Sequence, residues 1–246
     1  MLIIPADDAP AVEIVAAIRQ GDVETLRRHL RDNPELAAAR VVDRKGVSRT
    51  LLHVVADWPG HFPNGAHVVT LLIAAGADVD GRVMHPGPGG SPETALHWAA
   101  SSGDVAVLDA LMDGGADIEA PGAVITGGTP MADAVVFAQW RAARRLLARG
   151  AATTLWQAAA LGLLDRVREY CSTEPPPPLE QVTNAFWNAC RGGQQATAEY
   201  LLDRGAEPNW VGHDHKTPFD VAQESRDDDL SQWLRAQGGR PAAELG

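Results

Sequence analysis

The sequence predicts an all-α chain, a helical solenoid of about seven helix-turn-helix repeats whose terminal units are degenerate caps. Three observations predict it. The block ETALHWAASSGDVAVLDALMDGGADIEA, at 93–120, recurs with variations at 50–80, 129–151, 154–171, 184–209 and 217–239, and a degenerate form fills 12–37. Glycine follows the apolar second half of these blocks at Gly76, Gly115, Gly150, Gly205 and Gly238, where a helix ends on a left-handed residue. Hydrophobic residues make up 45% of the chain, which is enough for a continuous core. A single repeat cannot bury its own apolar face, so stacking has to supply that core.

Each element has a local cause. The first unit, with RQGDVETLRRHLRD, is polar as an end cap must be. Thr50, Thr94, Thr129 and Thr217 precede helical patterns and can cap them through a side-chain oxygen. Pro130 and Pro218 then fall at the first helical position, where a missing N–H costs nothing. The pairs Ala99–Ala100 and Ala158–Ala159 are small enough for neighbouring helices to approach. The last unit carries QESRDDD as a polar cap and Trp233 as a core anchor. The units run at about 12–49, 50–93, 94–128, 129–152, 153–183, 184–216 and 217–240, within one domain over 1–246.

This grammar resembles the ankyrin repeat. The match is fullest over 94–120, at Thr94, Leu96, His97, Ala99, Ala100, Gly103, Leu108, Leu111, Gly115, Ala116 and Asp117. The resemblance implies a protein–protein interaction module that binds a partner through a concave groove lined by first helices and through its loops. It also implies that His53 and His97 tie each helix start to neighbouring backbone.

The array departs from a regular period. Units start at 50, 94, 129, 153, 184 and 217, giving gaps of 44, 35, 24, 31 and 33, against about 33 for an ideal array. The first long gap holds an insertion, DWPGHFPNG at 57–65, a loop by composition. It carries Asp57, Trp58, His61 and Phe62, which either pack over a neighbouring repeat or meet a ligand or partner. The connector GRVMHPGPGGSP at 81–92 reads as an exposed finger. Between Gly150 and Thr153 the usual finger is missing. At 172–181, STEPPPPLEQ reads as a stiff extended spacer or as a ligand for an SH3-type domain.

Aromatic and polar residues mark the inner helices. Trp156 and Trp187 stand in the histidine position of their units, and Trp98 follows it in the third. Asp133, Gln157 and Asn188 align with Trp98. Two accounts fit them. The rings fill gaps in the stack and the polar groups satisfy backbone, or together they wall a binding site as ligand pockets and interfaces do. The alternative function is a small-molecule-binding protein or enzyme under the 57–65 loop, with Asp57 and His61 as an acid–base pair. No catalytic residue is assigned. There is no G-x-S-x-G, no G-K-[ST], and His213-Asp214-His215 lacks a third spaced ligand, so the sequence implies neither cofactor nor metal.

Charge narrows the partners. The net charge is −11 and the only lysines are Lys45 and Lys216. Nucleic-acid binding draws on clustered cations, so neither nucleic acid nor an anionic membrane is an expected partner. Cys171 and Cys190 sit in helical patterns and read as small buried hydrophobes, not as a disulfide or zinc pair. The start MLIIPADDAP lacks the basic region of a secretion signal. No stretch reaches the ~20 apolar residues of a membrane span. The expected location is the cytoplasm.

Overall fold

The structure is a computed structural model that describes residues 2–225 and 227–245. The chain divides into two compact units, 1–151 and 152–246. Both are built from helix pairs.

The first unit opens with a small three-stranded sheet, an addition to the expected all-helical repeat. Strand β1 (Ile3–Pro5) runs parallel to β2 (Arg40–Val42), with Ile3 opposite Arg40. β2 turns through Gly46 into antiparallel β3 (Ser48–Thr50), with Arg40 opposite Thr50. Alternation explains β1, since Ile4 is buried while Ile3 faces out. The guanidinium of the buried Arg40 donates to the Ser48 hydroxyl and carbonyl at 2.8 Å each, and to the Arg82 carbonyl. It thereby links this sheet to the next finger.

The unit has four helix pairs, the first between β1 and β2 and the others after β3: α1 (Ala9–Gln20) with α2 (Val23–Asp32), α3 (Leu51–Ala56) with α4 (Gly65–Ala74), α5 (Ala95–Ser102) with α6 (Val105–Asp113), and α7 (Pro130–Val136) with α8 (Trp140–Ala148). Leu26, Leu72, Leu108, Leu111 and Leu146 of the second helices are fully buried. The histidines act as ties. The Thr50 amide donates to His53 Nδ1 at 3.3 Å, and His53 Nε2 lies 3.1 Å from the Glu93 carbonyl. Thr94 and His97 repeat this at 3.1 Å and, to the Gly128 carbonyl, 3.3 Å. Nδ1 accepts and Nε2–H donates, so both rings are neutral. Burial lowers the pKa of His53 to about 3 and that of His97 to about 4.

The 57–65 insertion is tied to two helical turns, once by a side chain and once by its backbone. Asn64 donates to the Gly21 carbonyl at 2.9 Å, and the His61 amide donates to Asp104 Oδ2 at 2.6 Å. Asp104 caps α6 by accepting from the Val107 amide. Gly21 has φ +67°, and a Cβ there would sit 2.2 Å from the Pro63 carbonyl oxygen. The close approach of loop and turn therefore requires glycine.

The second unit contains α9 (Leu155–Ala160), α10 (Leu164–Cys171), α11 (Leu179–Arg191), α12 (Gln195–Asp203), α13 (Pro218–Glu224) and α14 (Asp228–Ala236). Phe186, Trp187, Leu201, Leu230 and Leu234 form its core. Two local expectations shift. The cap of α9 is Thr154, one residue later than expected, and Gln157 closes its capping box by accepting from the Thr154 amide at 2.7 Å. Helix α11 begins at Leu179, so 179–181 are helical instead of extended and position 184 lies mid-helix. A residue before proline is driven out of the helical region, which keeps the chain extended through Pro177; Pro178, still extended, is the cap, and the helix starts at Leu179.

Gly115 ends α6 with φ +93° and open space around its α-carbon. Gly115→Val should therefore cost backbone strain and no clash, about 1–2 kcal/mol. The measurement is the urea midpoint, and an unchanged midpoint would refute the assignment of that turn.

Candidate functional site

The first unit carries an open cleft of about 380 Å³ where the first helices meet their fingers. This is near the small end of ligand pockets, which span roughly 300–1,000 Å³. Trp58 and Phe137 stand at its edges with Val124, while Trp98, Glu93 and Asp57 line it further in. Trp58 is 81% exposed, Val124 53% and Phe137 41%. Exposed aromatics beside acidic groups in one concavity are the kind of surface that interaction sites use.

Trp98, on α5, is half-buried and held on several sides. Its Nε1 donates to Glu93 Oε2 at 3.2 Å. The ring of His53 meets it edge-on at 5.0 Å, and the Arg49 guanidinium lies 5.9 Å from its centroid. Asp57 is already paired, with Arg19 at 2.9 Å and Arg49 at 3.7 Å. Arg49 also reaches Asp43 at 3.4 Å. Glu93 differs: among the described residues no arginine or lysine forms an ion pair with it.

Behind Glu93 stands Asp133 of α7. Asp133 is 0% exposed, and no N–H or O–H donor closes a hydrogen bond to either oxygen. The Val124 amide faces both carboxyl groups without reaching Asp133 in hydrogen-bond geometry. Burial, then the neighbouring Glu93 charge, pushes the Asp133 pKa up to about 8. Burial also raises that of Glu93. At neutral pH Asp133 keeps its proton and donates it to Glu93, so the two side chains share one negative charge.

Comparison with known proteins fits this architecture. A comparison with curated protein sequences finds no match. The family model of the ankyrin repeat matches residues 92–120, the third helix pair, which carries Glu93 and Trp98. Among solved structures, the human ASB11 ankyrin repeat domain superposes with a TM-score of 0.52 at 20% identity, covering 93% of this chain and 98% of that one. The fold is that of an ankyrin-repeat domain, and residues 92–120 form an ankyrin repeat. The ankyrin pattern explains why Trp98 and Asp133 hold matching places, one residue past the third position of consecutive first helices.

Several expected site residues lie elsewhere in the ankyrin framework. His61 is exposed and turned to Asp104, its Nδ1 4.0 Å from Oδ1, and it does not line the cleft. The Asp57–His61 acid–base pair is therefore not assembled there. Phe62 is partly buried, with the Arg19 guanidinium 6.0 Å from its ring centroid. In the second unit, Trp187 is core: it is 2% exposed, and its Nε1 donates to the Lys216 carbonyl at 2.9 Å. Asn188 donates to the Asn184 carbonyl one turn back, and Gln157 is spent on its helix cap. Trp156 packs half-buried against the same core. Gln157, Trp187 and Asn188 are buried, and none of the four lines the cleft of the first unit.

Glu93, Val124, Phe137 and Gln139 line the cleft and were not singled out from sequence. Phe137 and the Val124–Ile125 pair had a legible signal, being large apolar residues at a turn and inside a Gly-rich finger. Glu93 gave none beyond its place before the Thr94 cap.

Proposed function

We propose that this chain docks a protein partner on the face of its first unit that holds the Trp58–Trp98 cleft. Ankyrin repeats are a protein–protein interaction module. The observation that carries the proposal is the exposure of Trp58, Val124 and Phe137 around one acidic cleft. An exposed indole buries a large area when covered, and tryptophan is among the commonest anchors of interfaces. The cleft is open, which suits a protruding side chain better than an enclosed metabolite. The setting we propose is the cytoplasm, on the charge balance and on two buried cysteines that remain thiols. No helix among the described residues is long and apolar enough to cross a membrane.

The test is calorimetry with a partner captured from the native cell and purified. Trp58→Ala should weaken binding by more than about 2 kcal/mol. The melting temperature should hold, because the ring is 81% exposed. A partner that binds Trp58→Ala as tightly as the parent chain would move the interface off this face.

A further inference from the structure

We infer that the partner seats an arginine side chain in this cleft, its guanidinium on the Glu93 carboxylate and its plane against the Trp98 and Trp58 rings. The inference rests on the docking proposal and names the group that is recognised.

Three observations support it. Glu93 is a carboxylate fixed in place on the cleft wall. Its side chain accepts from Trp98 Nε1 at 3.2 Å, and its backbone carbonyl is tied to His53 Nε2 at 3.1 Å. The cations already present are committed. Arg19 and Arg49 are held by Asp57, and Arg49 also by Asp43, so the carboxylate left without a cation is Glu93. Asp133 behind it is fully buried, with no donor closing a hydrogen bond to it. It brings no cation of its own and shares the single negative charge of Glu93, so the pair still presents one uncompensated negative charge to the cleft.

The choice of arginine follows from the walls. A guanidinium is flat, weakly hydrated and stacks on aromatic faces, and it can bind a carboxylate through two N–H groups. A lysine ammonium is a compact, strongly hydrated point charge that loses more water on entering an aromatic-walled cleft. The net charge of −11 favours the approach of a basic segment.

The experiment is selection from a phage-displayed random peptide library on the full chain. The affinity of a selected peptide is then measured against the parent chain, Glu93→Gln and Trp58→Ala. Gln at 93 keeps an acceptor for the Trp98 indole, and its melting temperature is checked first. Selected peptides should carry an enriched arginine. Replacing that arginine with citrulline, a neutral isostere, should weaken binding at least tenfold, and so should Glu93→Gln. Combining the two changes should cost no more than either alone, because both remove one interaction. A merely structural role for Glu93 would make the losses add. Peptides that need Trp58 but show no arginine preference, or whose citrulline form binds equally well, overturn the arginine inference and leave the docking face standing. Peptides indifferent to Trp58→Ala, or no retained peptide at all, overturn both.

Discussion

Asp133→Asn is expected to stabilise the protein at pH 9 by several kcal/mol while changing little at pH 4. The sign follows from linkage. The folded Asp133 carboxyl titrates near pH 8, well above its ordinary 3.8. Between those values the folded chain holds a proton that the unfolded chain releases. The stability this proton supports is complete below pH 3.8 and is lost as pH rises towards 8, at roughly 1.4 kcal/mol per pH unit. Asparagine has no proton to lose, and its amide can donate to Glu93 as the protonated acid does. Glu93 is raised by burial too, so the two carboxyls titrate as a pair and the profile is broader than that of one group. His53 and His97 work in the opposite sense. Their lowered pKa values make the folded state lose stability as pH falls below 6.5. Their contribution cancels in the difference between variant and parent. Urea midpoints of both chains from pH 4 to 9 supply the measurement. Parallel curves would show that Asp133 is not a buried acid.

Trp187→Ala is expected to cost about 3–5 kcal/mol of stability, the range for emptying a large aromatic site in a core. The indole is 2% exposed and belongs to the cluster with Phe186, Cys190 and Phe219. Its loss also leaves the Lys216 carbonyl without the donor that ties α11 to the following finger. His213, whose ring meets it edge-on at 5.3 Å, loses its packing wall. Denaturant unfolding reads this directly. A variant that folds normally but fails to bind a partner would return Trp187 to the interaction surface. Trp58→Ala is the contrast: the same deletion at an 81% exposed ring removes no core and should leave the unfolding curve in place.

The repeat, and with it the helix pairs, was legible in the sequence because its signals are local. A threonine capping a helix three residues on, a proline at the first helical position and a left-handed glycine past the last are decided within one turn of chain. The observed caps at Thr50, Thr94 and Thr217 and the left-handed Gly76, Gly115, Gly150, Gly205 and Gly238 are of this kind. The shift at Thr154 shows the limit, since either of two adjacent threonines satisfies the same local rule. Tertiary structure alone decided the site. Trp58, Trp98 and Trp187 carry the same side chain, and only what the folded chain lays against each ring leaves one exposed, one half-covered and one buried. Likewise, Glu93 and Asp133 are unremarkable acids in sequence. Stacking α7 on α5 brings them together away from water, and that loss of solvent makes them share a proton.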